Sequence, residues 1–502
     1  MSNLLAPIRH VLRVTLEAKS PLSIASGESD VDIDTPLFRD WNGLPCISGA
    51  SLAGVLRSLH EDYFSDTAGL FGFEESGTKD GVASRLLVSF GLAHNRSDRV
   101  VETLLDTRSI ENDEVLRRLA LPAPVLRDHV AIDADTGAAS PSGKFDRAAC
   151  PAGTRFSLEL AIDGDDGSKK GDREAMAQLA GLFVCPYLRL GGAGRRGFGA
   201  VRLVRARYRA LDRRGSKGRE DLIAYRSAPL DDFLGKWDSW DRPNLTAHSR
   251  RGPITGKLVL APKGFWRMGE GDKRWLTAPP GEKKPPDKLP LTEPVIVWTK
   301  IGNTVTGSVV EKPLAPFPAS GLKGALAHRA EYHLRRIRAA FADASAGPGP
   351  GGRLMDTVFG SVAAAEGGEA GALLIDDAFV DFDGIPISGA AGRRPRNSLD
   401  RQTSGVRDGK FFTFESLWKG PAIRIDLALL AKPRGDVELP DDVLRALDWA
   451  FGDLLAGGLA VGGGDAVGDG VMAEGSSISW KREGERSTKF LVAPPDPGAV
   501  AA

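Results

Sequence analysis

Two glycine-rich stretches decide how this chain is organised: LRLGGAGRRGFGAV at residues 188–201 and LAVGGGDAVGDGVM at residues 459–472. Four glycines of the first stretch recur in the second, each 271 positions later. The pairs are Gly191 with Gly462, Gly192 with Gly463, Gly197 with Gly468, and Gly199 with Gly470. Self-similarity at a fixed long period indicates a duplicated structural unit.

Further matches follow in the same order along both halves. Residues 51–56 match 321–326, residues 70–72 match 358–360, and residues 132–136 match 399–403. We therefore predict a first domain at 1–210, a polar connector at 211–251, a second domain at 252–482 and a flexible tail at 483–502.

Each copy shows the same succession of elements. An alternating strand opens it, and a Ser/Gly turn then leads into a helix whose N-terminus contains Ser48 in copy one and Ser320 in copy two. A strand follows at 86–88 and 373–375, then a long polar excursion, a helix, the glycine loop and a last strand. Strands and helices mix without regular alternation, which predicts the α+β class.

Composition excludes several kinds of protein. Lys and Arg total 66 and Asp and Glu total 66, so contact with a polyanion requires a local basic patch. No apolar run is long enough to span a membrane, and no membrane contact is expected. Three scattered cysteines and an N-terminus without a signal-peptide pattern predict a cytoplasmic protein.

The glycine loops have two interpretations. Glycines let a backbone approach a phosphate, and Arg195 and Arg196 lie inside the first loop. The same pattern suits a tight turn from a helix into a strand. A basic run follows at 189–219, and its alternating Arg205, Arg207 and Arg209 either face a nucleic-acid backbone or blunt an edge strand.

An acidic loop precedes the first capped helix. Its alternating carboxylates include Asp32 and Asp34, and such clusters can hold a divalent cation, although turn acids are also common. The seven histidines show no metal-ligand spacing. Only His129, beside the first polar excursion, is kept as a candidate.

Together these motifs resemble the RAMP superfamily of CRISPR-associated proteins, specifically the backbone subunits of type III effector complexes. The resemblance rests on residues 33–36, 44–57 and 191–199 in copy one, and on 319–324, 397–403 and 462–470 in copy two. A fusion of two such domains looks most like the tandem backbone proteins of type III-D systems.

The resemblance implies two tandem modified RRM-like (ferredoxin-like) domains, each with a β-hairpin thumb, at about 127–148 and 396–414. It implies a metal-dependent endoribonuclease of antiviral defence, whose partners are a guide RNA, a complementary target RNA and other effector subunits. Asp34 is the implied catalytic residue and ligand of Mg²⁺ or Mn²⁺, with Asp32 and His129 as possible supporting residues.

The same resemblance implies a set of RNA contacts: Ser48, Ser51, Arg57, Arg195, Arg196, Ser320 and Lys323. The copies depart from the family pattern in different ways, because Ala53 replaces a lysine in copy one and Ala327 replaces an arginine in copy two. Counting back from the second helix leads to Thr304, where no acid is present. We therefore predict that copy two binds RNA without cutting it.

Other functions remain open at this stage. The chain could be a purely structural backbone subunit in which Asp34 only shapes its loop. It could also be a guide-processing endoribonuclease of the same superfamily, or an unrelated small-molecule enzyme.

Overall fold

The computed structural model describes residues 6–27, 33–74, 81–132, 139–164, 169–233, 237–245, 247–282, 284–340, 354–361, 368–433 and 435–492. The chain forms two compact units. The first comprises Met1–Gly194, Phe198–Arg250 and Pro294–Val310, and the second comprises Arg195–Gly197, Arg251–Glu293 and Glu311–Ala502.

The first half of the chain mixes strands and helices irregularly, as predicted for the α+β class. Its elements in order are β1 (Ile8–Ala18), α1 (Gly49–Tyr63), α2 (Ala68–Phe71), β2 (Phe73–Glu74), β3 (Gly81–Val82), β4 (Leu86–Val88), β5 (Leu92–Ala93), α3 (Thr107–Asn112), α4 (Glu114–Leu119), β6 (Val125–Ile132), β7 (Ala139–Ala149), β8 (Arg155–Gly164), α5 (Lys169–Leu182), β9 (Val201–Asp212), α6 (Gly215–Ser227) and β10 (Asp238–Ser239).

The second half follows a similar succession. Its elements in order are β11 (Pro253–Leu260), β12 (Phe265–Trp266), β13 (Val295–Ile301), β14 (Thr304–Val310), β15 (Leu314–Phe317), α7 (Ala319–Ile337), α8 (Asp356–Phe359), β16 (Leu373–Ile375), β17 (Ala378–Asp381), α9 (Ile387–Ala390), β18 (Ala391–Leu399), β19 (Val406–Trp418), β20 (Ile423–Leu430), α10 (Asp441–Leu455), a short 3₁₀ helix (Asp465–Val467) and β21 (Ser477–Arg482).

The first unit is built on an antiparallel sheet with the strand order β10-β9-β1-β8-β4, in which β5 also pairs with β8. Strand β1 lies at the centre and is buried along almost its whole length. Its side chains alternate between the two faces of the sheet. Leu12 and Leu16 share the apolar face, and helix α5 packs against β1.

Polar side chains on the other face of β1 pair with β8. Arg13 Nε donates to Glu159 Oε2 at 3.0 Å, and Arg155 Nε donates to Glu17 Oε2 at 2.9 Å. Buried charges are tolerated when they are paired in this way. Polar pairs therefore help to fix the register of β1 on β8.

The second unit repeats the central sheet of the first. Its strand order is β16-β20-β11-β21, and helices α7 and α10 pack against each other. These four strands take the places of β4, β8, β1 and β9 in the same order. The duplication predicted from the glycine spacing is therefore present in the topology.

Both polar excursions fold as long antiparallel hairpins, as predicted for the two thumbs. Strands β6 and β7 pair in the first unit, and β18 and β19 pair in the second. We call them hairpin 1 (strands β6 and β7) and hairpin 2 (strands β18 and β19).

The segment predicted as a polar connector carries helix α6 and is counted with the first unit. Leu211 and Tyr225 form a buried cluster with Val11 of β1, and the Tyr225 hydroxyl donates to Glu159. The predicted domain boundaries, with the first domain ending at 210 and the second beginning at 252, stay a prediction.

The first residues of the predicted tail are bonded to the second unit. The Thr488 N–H donates to the Trp480 carbonyl at 2.8 Å, and the Leu491 N–H donates to Asp448 Oδ2 at 2.9 Å. Burial raises the pKa of Asp448 to about 6. Residues 493–502 of that tail lie outside the described residues.

Candidate nucleic-acid interface

A cavity of about 310 Å³ opens on the first unit where helix α1 meets the first glycine loop. Ser48 precedes α1 in an extended conformation, at its N-cap position. The cavity brings together residues that the sequence analysis selected separately. Its lining comprises Ile24, Ala25, Ile47, Ser51, Leu52, Val55, Leu190, Gly191 and Gly192.

The first glycine loop packs closely against the segment that follows β1. Gly191 has φ +76°, and a Cβ added there would lie 2.2 Å from the Ser23 carbonyl oxygen. Gly192 donates its N–H to that oxygen at 2.8 Å. A Cβ on Gly192 would lie 2.8 Å from Arg147 Nη1 of hairpin 1. The tight-turn interpretation therefore applies at these two positions.

The second glycine loop repeats this arrangement with a different partner. Gly462 has φ +93°, and its Cβ would lie 2.4 Å from the Arg267 carbonyl oxygen. Gly463 donates to that oxygen at 2.7 Å, and its Cβ would lie 2.8 Å from Arg267 Nη2. Each loop thus places one guanidinium against its second glycine. The other predicted glycines also have positive φ: Gly197, Gly199, Gly468 and Gly470.

Asp34 lies at the base of hairpin 1 and is exposed. Its Oδ2 accepts a hydrogen bond from the Asp146 N–H at 2.9 Å, and its own N–H donates to Asp146 Oδ1 at 2.9 Å. These reciprocal bonds hold the two carboxylates side by side. Asp146 is a site residue that the sequence analysis missed, because 112 positions separate it from Asp34.

The donor set fits a divalent cation that is completed by other ligands. Among the described residues, no group of three or more His, Cys, Asp or Glu side chains is arranged to hold a metal ion. Mg²⁺ is commonly held by one or two carboxylates together with water and substrate phosphates. Asp34 and Asp146 would supply two such carboxylates. Asp32, the predicted supporting acid, lies outside the described residues.

His129, predicted as a supporting residue, packs against two aromatic rings. Its ring stacks on Phe145 with centroids 5.0 Å apart and packs against Phe198 at 5.7 Å. Asp146 adjoins Phe145 in β7, and neighbouring residues of a strand point to opposite faces. His129 therefore packs on the face of hairpin 1 opposite to the Asp146 side chain, and its role as a supporting residue stays a prediction.

Among the other predicted RNA contacts of the first half, Arg57 is half exposed and ion-paired with Glu61 at 3.0 Å. Arg195 and Arg196 are counted with the second unit. Arg195 Nε donates to the Gly371 carbonyl. An RNA contact by these arginines stays a prediction.

Lys323, predicted as an RNA contact of copy two, is buried. Its ammonium donates to the carbonyls of Arg195 at 3.0 Å and Leu373 at 3.3 Å. Burial, with the nearby Arg195 and Arg196 charges, lowers the pKa of Lys323 to about 7. Its nitrogen is therefore engaged inside the second unit. Ser320 lies in the first turn of the same helix and is half-buried.

The arginines of the basic strand β9 pair with acids that lie outside the strand. Strand β10 pairs with it, so β9 is not an edge strand where the two meet. Its alternating arginines form ion pairs, which explains why a count along the local sequence overstated the basic field. The pairs are Arg205 with Asp98, Arg207 with Asp241 and Arg209 with Asp221.

A buried Ser-His-Asp chain also escaped the sequence analysis. His94 Nδ1 lies 2.9 Å from Asp98 Oδ1, and His94 Nε2 lies 2.8 Å from Ser157 Oγ. The exposed fraction is 1% for His94 and 2% for Ser157. Substrate cannot reach a nucleophile enclosed in this way. The three side chains instead satisfy one another's hydrogen bonds in the buried part of the sheet.

The second unit holds an aspartate at the place of Asp34. The Asp287 Oδ2 accepts from the Thr413 N–H at 2.8 Å. Thr413 follows Asp146 by 267 positions, which is the offset that relates the two hairpins. Asp287 therefore makes with hairpin 2 the bond that Asp34 makes with hairpin 1.

A neighbouring bond repeats at the same offset. The Ala148 N–H donates to the Thr35 carbonyl at 3.1 Å, and the Glu415 N–H donates to the Lys288 carbonyl at 2.9 Å. The alignment that led to Thr304 was therefore wrong. Thr304 begins strand β14, which is counted with the first unit.

These observations define a class of protein. It has two repeated α+β units, each with a long hairpin and a glycine loop, and an arginine side chain packs against the second glycine of each loop. The chain matches the RAMP superfamily over residues 15–202 and 300–472, together more than half of its length. It belongs to that superfamily and is thereby a CRISPR-associated, RNA-binding protein. No curated protein matches the chain. Every helix in the described ranges is too short or too polar to cross a membrane.

Proposed function

We propose that this chain is a backbone subunit of a type III CRISPR effector complex, which binds guide RNA and cleaves guide-matched target RNA through Asp34. Family membership and the duplicated unit support the backbone role. The observation that carries the cleavage proposal is the pair of carboxylates at the base of hairpin 1, the exposed Asp34 and the half-buried Asp146. The other effector subunits are its expected protein partners.

The reaction uses the nucleophile that RNA itself carries. The 2′-hydroxyl oxygen attacks the adjacent phosphorus, the bond from phosphorus to the 5′-oxygen breaks, and the leaving oxygen takes up a proton. In-line attack requires a displaced nucleotide, which a hairpin inserted beside the RNA would supply. Sequence selection comes from pairing with the guide.

In this mechanism the Asp34 carboxylate accepts the proton of the 2′-hydroxyl. The Asp146 N–H holds one oxygen of that carboxylate, and the reciprocal bond fixes the loop. A bound Mg²⁺ or Mn²⁺, held by Asp34 with Asp146, would stabilise negative charge on the phosphate.

One observation favours a second function, a structural subunit that does not cut. The Asp34 carboxylate ties its loop to hairpin 1, and this alone explains an aspartate there. The side-chain oxygen of an asparagine accepts the same bond without carrying charge. Asp34→Asn therefore separates the two functions.

The test is cleavage of a guide-matched RNA by the reconstituted complex with Mg²⁺, using wild type, Asp34→Asn and Asp34→Ala, with guide retention measured in parallel. Both variants should retain the guide, and in both the rate of one cut should fall about a hundredfold or more. Normal cutting by Asp34→Asn would refute the catalytic role. Loss of guide by Asp34→Ala alone would establish the structural one.

A further inference from the structure

Three arginines converge on the second glycine loop. Arg267 lies in the segment after β12, and Arg394 and Arg396 lie on strand β18 of hairpin 2. Arg394 Nη2 donates to Asp469 Oδ2, and Arg396 Nη2 lies 3.7 Å from the same oxygen. A Cβ on Gly463 would lie 2.8 Å from Arg267 Nη2, so this glycine admits the third guanidinium.

The cluster carries more positive than negative charge. Asp469 is 2% exposed and is the one carboxylate that these arginines contact among the described residues. The next acid, Glu270, is ion-paired with Lys288 at 2.5 Å. Burial lowers the pKa of the Arg267 guanidinium, Glu270 and Asp469 act against this, and Arg394 and Arg396 lower it further.

One nitrogen of each of these arginines lacks an acceptor among the described residues. Within the described ranges, the Nε atoms of Arg267, Arg394 and Arg396 are buried without a hydrogen-bond partner, as is Oδ1 of Asp469. Arg267 is 8% exposed and its guanidinium donates to the Gly269 carbonyl at 2.9 Å. Buried cations with unmade hydrogen bonds are costly unless a ligand completes them.

Two aromatic rings orient the guanidinium groups. Arg394 lies over Phe265 at 4.1 Å from the ring centroid, and Arg267 and Arg396 lie over Phe414 at 5.6 and 5.3 Å. Stacking on a ring fixes the plane of a guanidinium and leaves its edge to donate. The side chains of Arg394 and Arg396 keep 24% and 21% of their surface exposed, so a ligand can reach them.

We propose that Arg267, Arg394 and Arg396 form a binding site for a phosphate group of an RNA backbone in the second unit. Guanidinium forks match the geometry of phosphate oxygens. Asp469 holds the arginines in place without neutralising all three. The inference rests on the proposed RNA-binding function and adds three arginine side chains to the second glycine loop, none of which the sequence analysis selected.

The corresponding place in the first unit is built differently. Arg127 and His129 stand 267 positions before Arg394 and Arg396. Arg127 lies over the ring of Phe198 at 5.0 Å, and His129 packs on the same ring. At these matching positions the first unit thus has one arginine and one histidine, both packed on Phe198, where the second unit has two arginines.

The test uses the full chain and a fluorescein-labelled single-stranded RNA, with binding measured by anisotropy across a potassium chloride series. The variants are Arg396→Gln and Arg267→Gln, and the control is Arg338→Gln, an ion-paired arginine at the end of α7. Arg396→Gln should weaken binding about tenfold. The slope of log K against log salt should fall by about one. The control should match wild type in both.

A second measurement uses inorganic phosphate as the probe. Phosphate should raise the melting temperature of wild type above that in a chloride buffer of equal ionic strength, and Arg396→Gln should lose most of that increase. If Arg267→Gln does not fold, this measurement still tests the site through Arg396→Gln. Arg396 is more exposed than Arg267, so its replacement disturbs the fold less.

The outcomes separate this site from the broader proposal. If wild type binds RNA and both folded variants keep its affinity and salt slope, the phosphate site is refuted while RNA binding stands. If wild type is stabilised by phosphate but does not bind RNA, the proposed function fails and the RNA assignment of the site fails with it.

Discussion

The bases of the two hairpins share a backbone framework and differ in charge. In the first unit Asp34 lies beside a second carboxylate, Asp146. In the second unit Asp287 makes the same bond to the strand, but Thr413 replaces the second acid, and Lys284 forms an ion pair with Asp287 at 2.6 Å. A duplicated fold has kept the position of an aspartate while changing its neighbours.

The neighbours decide what each carboxylate can do. The hydrogen bond from Lys284, together with the Thr413 N–H, holds the pKa of Asp287 below its usual range. A carboxylate with a lowered pKa is a weaker proton acceptor, and a neighbouring ammonium repels a metal cation. The prediction that copy two does not cut therefore has a physical basis, although it is not the missing acid we expected.

The largest expected difference is in cleavage. In the reconstituted complex with Mg²⁺, Asp287→Asn should leave every cut at the wild-type rate. Asp34→Asn should lower the rate of one cut about a hundredfold or more. The reason is that the first unit places a second carboxylate, Asp146, beside its loop aspartate, whereas the second unit has Thr413 at that position. Product lengths on a labelled guide-matched RNA identify which cut is lost.

The same pair of variants can contradict this difference between the two units. Loss of a different cut in Asp287→Asn, with guide binding intact, would show that both units cleave and that Lys284 does not prevent it. Thr413→Val is the control for the hairpin side chain. It removes the Thr413 hydroxyl and keeps the backbone N–H that donates to Asp287.

Much of the fold could be predicted because the repeated signals are local. Glycines with positive φ and helix starts recur at nearly constant offsets, since the backbone requires them in both units. The strands at Leu86–Val88 and Leu373–Ile375 were predicted for this reason, whereas the two hairpins were implied by the family resemblance.

The candidate site could be predicted only in part. Asp34 lies 15 residues before Gly49, whereas Asp287 lies 32 residues before Ala319. The β13–β14 hairpin accounts for the longer interval, so counting along the chain led to Thr304. Asp287 is found through its hydrogen bond to the strand, which spans 126 positions and leaves no local pattern.

The burial of the charged side chain of Lys323 could not be predicted from the sequence either. Lys323 is therefore the subject of the next prediction. Its pKa is about 7 in the folded unit against the ordinary 10.5, because of burial first and of Arg195 and Arg196 second. Between these values the unfolded chain binds more protons, so raising the pH through this range stabilises the folded state. Below about pH 7 both states are protonated and the effect is constant.

Lys323→Met should remove this dependence. The free energy of unfolding of wild type minus that of the variant should rise by about 2–4 kcal/mol from pH 7 to pH 10.5. Urea unfolding at several pH values measures it. The control for removing one charge is Lys257→Met, an exposed lysine on strand β11 of the same unit. A difference that does not change with pH would mean that Lys323 stays charged inside the second unit.

The smallest expected effect tests what the two units share. Gly191→Ala and Gly462→Ala should each lower the free energy of unfolding by about 2 kcal/mol, because both force a side chain into positive φ against a carbonyl oxygen at 2.2 and 2.4 Å. The controls are Gly54→Ala and Gly324→Ala, at matching positions inside α1 and α7, where an added Cβ meets nothing within 4 Å among the described residues. Alanine there should stabilise by about 0.5–1 kcal/mol. Chemical unfolding of the four variants compares the units directly. If one loop glycine tolerates alanine while the other does not, the loops share their sequence pattern without sharing its structural cause.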